Sequence, residues 1–251
     1  METMQQNNHN QLKELKIELV RFMMSYKFAL DEMNTKINIL KQEFQYIHDY
    51  NPIEHVKSRV KSPESIVKKV DTKGYQLSLD SIRENVRDIA GIRITCSFLS
   101  DIYKLSEMIQ NQKDIKVIEC KDYIKNPKLN GYRSLHLIVQ IPVFMSDRED
   151  HIFVEIQIRT IAMDFWASLE HKIYYKYNKE VPVQMKTELK EAAESATLLD
   201  MKMEKLHQKM KKLKETDGFE ENNSDFQRLL SGTKQLSLPN DFLAASLHLI
   251  N

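Results

Sequence analysis

Apolar residues recur at intervals of three and four along the first fifty residues, from Leu12 to Ile47. This spacing places them on one face of a helix, so it predicts an amphipathic helix over residues 11–48. Two successive intervals of four meet at Tyr26, which indicates either a stutter within one helix or a break between two helices. The pair Asn51-Pro52 is expected to end the helical region, because proline removes a backbone donor and restricts the residue before it.

A second apolar stripe covers residues 183–213, where intervals of four and three alternate without interruption. The pattern predicts a long helix that either packs on its own domain or contacts a helix of another chain. The first stripe favours the second interpretation, since two long stripes need more cover than one small sheet offers. Further on, residues 215–224 are acidic and polar and are expected to be a linker or disordered, and residues 236–250 could form a short docking helix.

Between the two stripes, short strand patterns alternate with short helical patterns. The strand candidates are residues 89–98, 115–119, 133–143 and 151–158, and the helix candidates are residues 62–70, 79–86, 101–110 and 161–177. The fold class predicted is α+β, with a mixed β-sheet flanked by helices and long N- and C-terminal helices. The predicted domains are an N-terminal helical extension (1–50), a core (51–180), a C-terminal heptad helix (181–214) and a tail (215–251) that is partly disordered or a short docking helix.

Composition narrows the possible functions. Lys and Arg number 37 against 36 Asp and Glu, and the net charge of +1 does not favour a nucleic-acid partner. Two cysteines cannot build a disulfide framework or a four-ligand zinc site, and no apolar run approaches the roughly 18 residues of a membrane span. The polar N-terminus lacks the apolar stretch of a signal peptide, which predicts a cytoplasmic location. Neither a P-loop nor a Rossmann glycine motif is present, so side chains must hold the phosphates of any nucleotide.

Residues 59–69 form a basic cluster. Arg59 and Lys61 share a face if the segment is extended, and Ser65 and Lys69 share a face if it is helical. Ser62 followed by Pro63 is typical of a helix N-terminus. Basic side chains that lead into free backbone N–H groups predict a polyphosphate site, although a solvated basic surface would have the same sequence.

Two acidic residues accompany predicted strands. Asp88 stands at the start of one strand, which also carries Gly91 and Arg93, and in a regular strand Arg93 lies on the opposite face from Asp88. Gly91 inside the strand suggests that another group approaches the backbone closely. Glu155 alternates with apolar residues of a central strand and is expected to be partly buried, so it needs a cation or metal as partner. The two carboxylates could hold a hard cation for phosphoryl or nucleotidyl transfer.

A third cluster places Tyr132, Ser134 and His136 at alternate positions, so one strand face shows an aromatic ring, a hydroxyl and an imidazole. Such a face suits a ligand with a base to stack. A structural histidine in the strand is the plainer alternative.

Five segments stand in a distinctive order and spacing. They are Arg59-Val-Lys-Ser-Pro-Glu-Ser-Ile, Arg87-Asp-Ile-Ala-Gly-Ile-Arg-Ile, Gly131-Tyr-Arg-Ser-Leu-His, Val154-Glu-Ile-Gln-Ile-Arg-Thr and Ala162-Met-Asp-Phe-Trp-Ala-Ser-Leu-Glu-His. Together they resemble the synthetase domain of the RelA/SpoT family, over roughly residues 52–178. The resemblance implies a nucleotidyltransferase-like fold. It also implies transfer of the β,γ-pyrophosphate of ATP to the 3′-hydroxyl of GDP or GTP, which yields AMP and ppGpp or pppGpp.

The resemblance implies a role for each matching residue. Asp88 and Glu155 would hold Mg²⁺, and Glu155 would also be the general base near the 3′-hydroxyl. The implied ATP-binding residues are Arg59 and Arg93 around the adenine, Lys61, Ser65 and Lys69 at the phosphates, and Lys121 and Lys128 from the following loop. The implied GDP- or GTP-binding residues are Tyr132, which would stack on the guanine, Arg133, His136 near the 5′-phosphates, and Gln157.

The length of the chain resembles that of the small stand-alone alarmone synthetases, which are typically homotetramers assembled through their terminal helices. His48-Asp49 looks like the His-Asp pair of the family's hydrolase domain, but is interpreted as a coincidence. Some relatives that are activated by their own product have asparagine where Asp164 stands, so that regulation is not expected here.

Two other functions remain open from the sequence. One is a different Mg²⁺-dependent nucleotidyltransferase, which would release pyrophosphate rather than AMP. The other is a non-catalytic RNA-binding or interaction module, which would show no magnesium-dependent turnover and is not favoured by the net charge.

Overall fold

The computed structural model describes residues 2–47, 50–176 and 181–216. The pair at residues 48–49 and the segment predicted as a tail, except for its first two residues, lie outside this described part of the chain. The described residues form six helices, which are α1 (Glu2–Ile47), α2 (Pro63–Lys73), α3 (Leu79–Asn85), α4 (Leu99–Gln110), α5 (Ile161–Lys176) and α6 (Val183–Thr216). They also form five strands, which are β1 (Ile53–Val60), β2 (Ala90–Cys96), β3 (Lys116–Asp122), β4 (Leu135–Phe144) and β5 (Glu149–Thr160).

The strands make one mixed sheet in the order β1-β2-β5-β4-β3. Only β2 and β5 run parallel, and the other neighbours are antiparallel. The predicted α+β class is therefore confirmed. Two compact units divide the chain between Lys205 and Leu206, and the described part of the second unit is the end of α6.

One face of the sheet is apolar and packs into the core with α1 and α4. Ile92 and Ile156 of the central strands are fully buried in the same cluster as Tyr26 and Met33 of α1. A fully buried aliphatic side chain contributes about 1.5–3 kcal/mol, so this face stabilises the fold. Strand alternation then leaves the polar residues between them on the opposite face.

The helix α1 is continuous through Tyr26, so the alternative of a break at that residue is wrong. Tyr26 is only 1% exposed, because the stripe faces the sheet at this point. Closer to the N-terminus, Leu12 and Leu15 are 65% and 50% exposed. The part of the stripe that precedes the sheet is therefore not covered by the described residues.

The strand β1 was not among the strand candidates, which recognised only an extended segment around Arg59 and Lys61. It is an edge strand that pairs with β2 alone, and most of its side chains are exposed. Its apolar residues Ile53, Val56 and Val60 are three and four positions apart, so the alternation of apolar and polar residues that marks the other strands is absent.

The helix after β1 begins as the sequence predicts. Ser62 is the N-cap and accepts a hydrogen bond from the backbone N–H of Ser65 at 3.3 Å, and Pro63 takes the first helical position. A single short connection therefore turns the chain from β1 into α2 and brings both ends of the basic cluster to the same edge of the sheet. None of the helices in the described ranges has the length and apolar character needed to cross a membrane.

Candidate functional site

The second face of the sheet is polar, and the strand register aligns the predicted site residues on it. Each of the five strands contributes, and paired residues on neighbouring strands share a face. The pairs are Arg59 with Gly91, Gly91 with Glu155, Arg93 with Gln157, Gln157 with His136, and His136 with Lys121. The backbone thus collects residues from separate motifs into two adjacent rows, one with Arg59, Gly91 and Glu155 and the other with Arg93, Gln157, His136 and Lys121.

Asp88 lies in the segment that leads into β2, two residues before that strand begins. Its carboxylate binds two lysines, with Lys61 Nζ 2.6 Å from Oδ2 and Lys69 Nζ 2.9 Å from Oδ1. Burial raises the pKa of the Asp88 carboxyl, but the two ammonium groups outweigh that effect and the net direction is downward. Asp88 is therefore ionised at neutral pH inside a cluster of net positive charge.

In a regular strand, Asp88 and Arg93 would lie on opposite faces of the sheet. Because β2 starts only at Ala90, Asp88 stands outside the strand and its side chain does not follow that alternation. Its charge acts on Glu155 and raises the pKa of that carboxyl.

Glu155 lies near the middle of β5, with its side chain 21% exposed. His136 Nδ1 is 3.5 Å from Oε1, and Gln157 Nε2 donates to Oε2 at 3.0 Å. Burial raises the pKa of the Glu155 carboxyl, yet the contacts with His136 and Gln157 lower it further than burial and Asp88 raise it. The carboxylate form is therefore favoured, although the group is half-buried.

Tyr132 precedes β4 and lies among polar and aromatic groups. Its hydroxyl is 2.8 Å from His136 Nε2 and accepts a short hydrogen bond from Arg159 Nη2. The Lys128 ammonium lies 4.8 Å from the Tyr132 ring centroid, and also 4.7 Å from that of Tyr123. A base that stacks on the face of Tyr132 under Lys128 would have to displace this ammonium.

Arg93 and Arg159 share one carboxylate on the polar face. Asp164 Oδ1, at the start of α5, is 3.3 Å from Nη1 of each guanidinium. Burial lowers the pKa of Arg93, the charge of Arg159 lowers it further, and Asp164 opposes both. This end of the site holds two guanidinium groups against one carboxylate and is suited to bind an anion or an electron-rich ring.

The remaining predicted residues lie around these centres. Ser65 is exposed in the first turn of α2, where its Oγ contacts Ser62 at 3.0 Å. Lys121 pairs with Glu119 at 2.9 Å on the edge strand, where that bond raises its pKa. Arg133 turns toward the loop that follows β3 and donates to the Ile124 carbonyl at 2.6 Å.

Three of these placements differ from the pattern expected. Lys121 and Lys128, taken as candidates for ATP, lie beside His136 and Tyr132, the candidates for the acceptor nucleotide. Ser134, which shares the alternation with Tyr132 and His136, is completely buried and donates to the Ile158 carbonyl at 3.2 Å.

Arg159 is the residue that the sequence analysis missed. It is 3% exposed, and its guanidinium reaches Tyr132, Gln157 and Asp164 at once. The signal was available, because Arg159 continues the alternation of Glu155 and Gln157 along β5. Tyr123, whose ring lies 5.1 Å from that of His136, had no comparable signal.

A cation site built from protein ligands alone is not present in the described part of the chain, since no three His, Cys, Asp or Glu side chains group there in a suitable way. Asp88 and Glu155 nevertheless offer two coupled, ionised carboxylates. Mg²⁺ commonly takes one or two carboxylates from a protein and completes its shell with substrate phosphates and water. The residues present therefore fit a magnesium ion that is bound together with a nucleotide.

Comparison with known proteins gives a consistent result. Residues 58–180 match the family model described as the region found in RelA / SpoT proteins. The chain is 56% identical over 181 residues to the GTP pyrophosphokinase YwaC of Bacillus subtilis strain 168, an alignment that covers 72% of this chain and 86% of the relative.

Two solved structures of a Bacillus subtilis protein are similar as well. The small alarmone synthetase 1 bound to its product pppGpp has a TM-score of 0.71 and 40% identity, over 76% of this chain and 97% of that one. The same synthetase bound to AMPCPP has a TM-score of 0.66 and 37% identity, over 78% and 98%. The fold is thus shared along nearly the full length of these structures.

Proposed function

Because this chain belongs to the RelA/SpoT family, we propose that it is a (p)ppGpp synthetase, a GTP pyrophosphokinase. It transfers the pyrophosphate of ATP to the 3′-hydroxyl of GDP or GTP and produces AMP and ppGpp or pppGpp. The observation that carries this proposal is the carboxylate pair of Asp88 and Glu155, with basic side chains around Asp88 and the aromatic Tyr132 beyond His136 on the side of Glu155. The product-bound and AMPCPP-bound relatives support the choice of nucleotides.

The donor ATP binds at the basic side. Arg59 and Arg93 enclose the adenine, on neighbouring strands of the polar face. The triphosphate lies against Lys61, Ser65 and Lys69, and the excess positive charge around Asp88 supports this assignment. Lys121 of β3 and Lys128 of the connection after it act as additional cations for the phosphates, from the side of His136 and Tyr132.

The acceptor binds at the aromatic side. Tyr132 stacks on the guanine, His136 and Gln157 line the pocket, and Arg133 belongs to the same segment. The hydrogen bond of Tyr132 with His136 supports a shared pocket. Stacking on a rigid ring is worth about 1–3 kcal/mol per base, enough to select a nucleoside over a free phosphate.

Asp88 and Glu155 would hold Mg²⁺ together with the nucleotides, and the ion would supply charge neutralisation for the transferred phosphates. Glu155 accepts the proton of the 3′-hydroxyl. The 3′-oxygen then forms a bond to the β-phosphorus of ATP, and the bond between that phosphorus and the α,β-bridging oxygen breaks, so AMP leaves. His136 and Gln157 keep Glu155 ionised and oriented for this step.

We further propose a homotetramer that forms through the terminal helices, in the cytoplasm, where ATP and GTP are available. The support is the uncovered part of both apolar stripes, which includes Leu12 and Leu15 of α1 and Leu206 and Met210 of α6. Activation by the product is not part of the proposal, and neither is a nucleic-acid partner. The four-part domain division stays a prediction.

The test is a product assay with purified protein, ATP, Mg²⁺ and either GDP or GTP, with anion-exchange separation of the nucleotides. A guanosine product with two added phosphates and an equal amount of AMP is expected. Release of pyrophosphate would indicate a nucleotidyltransferase instead, and no magnesium-dependent turnover with either acceptor would favour a binding module.

The assignment of the two carboxylates is tested with matched variants. Asp88→Asn and Glu155→Gln are expected to lower kcat by roughly 10³-fold or more, since both groups act on the reacting atoms. Asp114→Asn is the control, because Asp114 pairs with Lys36 outside the polar face. Equal activity in all three variants would refute the assignment.

A further inference from the structure

The guanidinium of Arg159 lies at the start of two hydrogen-bond chains that end on Glu155. Its Nη2 carries two hydrogens, and it contacts two acceptors, the Tyr132 hydroxyl and Gln157 Oε1, the latter at 2.8 Å. From Gln157 the chain continues through Nε2 to Glu155 Oε2 at 3.0 Å. From Tyr132 it continues through His136 to within 3.5 Å of Glu155 Oε1.

Arginine decides the direction of both chains because it is a donor only and keeps its charge at every accessible pH. Gln157 must turn its oxygen toward Arg159, so its amide N–H₂ faces Glu155. Tyr132 accepts from Arg159 and is therefore left to donate its one hydrogen to His136 Nε2. An imidazole that accepts at Nε2 carries its hydrogen on Nδ1, which is the nitrogen nearest to Glu155.

We propose that Arg159 is a positioning residue for the acceptor half of the reaction, which sets the amide orientation of Gln157 and the tautomer of His136 so that both oxygens of Glu155 face donors. The kinetic part of this inference rests on the proposed function. The part that concerns His136 is a property of the protein without nucleotides and stands independently.

The surroundings of Arg159 agree with a role in orientation. Its side chain is buried, and its one carboxylate partner, Asp164, is shared with Arg93. Among the described residues, the buried Nε of Arg159 has no hydrogen-bond partner. Burying a charge costs desolvation free energy, and a carboxylate shared with a second arginine offsets only part of that cost. A contribution to stability alone therefore explains the buried Arg159 poorly. Glu155 contacts His136 of β4 and Gln157 of β5, and the charges of Asp88 before β2 and Lys121 of β3 also act on it.

The first experiment reads the tautomer directly. In ¹⁵N-labelled protein free of nucleotide and metal, at about pH 8 where a free histidine is neutral, the ring nitrogens of His136 are observed by NMR. They are assigned by difference from His136→Gln. The expected result is a hydrogen on Nδ1 and an unprotonated Nε2. A hydrogen on Nε2 in the unmodified protein would overturn the proposal, even before any variant is made.

The second experiment interrupts the hydrogen-bond chain that runs from Arg159 through Tyr132 to His136. Tyr132→Phe keeps the ring and deletes the hydroxyl, and Arg159→Met deletes the donors. Each is expected to turn His136 into a mixture of tautomers. If Arg159→Met does not fold, Tyr132→Phe alone decides this point, and an unchanged tautomer there contradicts the proposal.

Kinetics then separate positioning from a general structural effect. We expect Arg159→Met to lower kcat at least about tenfold with the KM for ATP within about twofold. Adding Tyr132→Phe to Arg159→Met should cost nothing further, because the deleted hydroxyl acts through the same chain. Arg159→Lys, a donor-only cation, should recover part of the loss. Multiplicative effects of the two substitutions, or no recovery by lysine, would refute the proposal.

A matched control is Arg148→Met at the turn between β4 and β5, where Arg148 pairs with Asp150 at 3.1 Å. Its kcat should stay within about twofold of the unmodified value. If the unmodified protein makes neither AMP nor an alarmone, the proposed function fails. The tautomer of His136 measured by NMR still tests the hydrogen-bond chain from Arg159 in that case.

Discussion

Asp88 is held between two lysines, Lys61 at 2.6 Å and Lys69 at 2.9 Å, on a site that we propose binds a triphosphate. The three groups carry a net charge of +1, so the cluster attracts a polyanion while it keeps the carboxylate ionised. The two ammonium groups therefore neutralise Asp88 in the free protein, and we expect them to bind the phosphates of ATP when the nucleotide is present.

The substitution Lys61→Met tests this arrangement at the residue scale. We expect kcat/KM for ATP to fall roughly 10- to 100-fold, the loss of a charge-assisted hydrogen bond of about 1.5–3 kcal/mol. Steady-state kinetics with saturating acceptor measure it. Lys68→Met, at an exposed position on α2 next to Lys69, is the control and should leave the value unchanged. Equal effects of the two variants would contradict the assignment of Lys61.

Gly91 tests how much room the polar face needs. It lies between Arg59 and Glu155 in the register, and a Cβ there would meet only the Arg59 carbonyl oxygen, at 3.9 Å. Gly91→Val should therefore fold, since valine suits a strand, but its side chain would occupy the space between the ATP side and Glu155. We expect an unchanged melting temperature and at least roughly a tenfold loss of kcat/KM. A fully active Gly91→Val enzyme would show that no ligand passes over this residue.

At the element scale, the connection between β3 and β4 is fixed against α5 and α6. Asn130 Nδ2 donates to Glu170 at 3.2 Å, and Trp166 Nε1 donates to the Leu189 carbonyl at 2.8 Å. Gly131 has a φ of +88°, and a Cβ there would lie 2.6 Å from that of Ala193. The same connection carries Tyr132, so α6 and the proposed acceptor pocket are mechanically linked.

Gly131→Ala is expected to lower the free energy of unfolding by more than about 2 kcal/mol, because a positive φ and a steric overlap both oppose the methyl group. The KM for GDP or GTP should rise, while the KM for ATP stays nearly constant. Urea unfolding and acceptor titrations measure these effects. Gly74→Ala, at a positive φ of +67° but with nothing within 4 Å, is the control and should lose only about 1 kcal/mol. Equal losses would remove the argument from the contact with Ala193.

Asp200 connects α6 to the end of β5, and the strength of this contact is expected to depend on pH. It is buried, and it accepts a hydrogen bond from Thr160 at 2.6 Å, at the junction of β5 and α5. Burial raises the pKa of the Asp200 carboxyl more than the Thr160 hydroxyl lowers it. The folded state thus prefers the protonated form, so stability from this group is complete below the unfolded pKa and is lost as the pH rises through the folded pKa.

Asp200→Asn keeps an acceptor for Thr160 and removes the charge. The variant should gain stability relative to the unmodified protein as the pH rises from about 4 to 8, with a small difference at the acid end. Thermal unfolding over this range measures it. A larger gain at low pH than at neutral pH would mean that the direction of the pKa shift is wrong.

At the scale of the whole molecule, parts of both apolar stripes are exposed in the described residues. On α6, Leu199 and Met203 are 53% and 44% exposed, and Leu206 and Met210 are 52% and 57% exposed. A regular stripe of this kind is typical of a helix that packs against another helix, and a closed homo-oligomer would cover it.

Leu206→Glu and Met210→Glu test that assembly. Since both side chains are already exposed, the fold of the single chain should tolerate the substitutions, whereas an interface that buries them should not. We expect the mass measured by light scattering after gel filtration to fall below that of a tetramer. Lys205→Glu, on the same helix outside the stripe, is the control. A monomer in the unmodified protein, or a tetramer in both variants, would exclude assembly through this stripe.

The sequence by itself determined the elements whose pattern is strong. The stripes of α1 and α6, the Ser62-Pro63 start of α2 and the alternating strands β2, β4 and β5 all follow from local periodicity and capping, and each is present. The five family segments also follow from sequence alone, because they require residue identity and order rather than geometry. The edge strand β1 was missed, since its apolar residues Ile53, Val56 and Val60 do not stand at alternate positions.

Only the tertiary structure decided how those residues meet. Register across the strands places Arg59 in the same row as Glu155 and places His136 in the adjacent row with Gln157, and no local pattern contains that information. It also decided that Asp88 stands outside the alternation of β2, and that Lys128 lies over Tyr132. Arg159 shows the reason most clearly. Its type and its strand face were readable, but its role depends on three partners that lie 2, 5 and 27 residues away and converge only when the sheet forms.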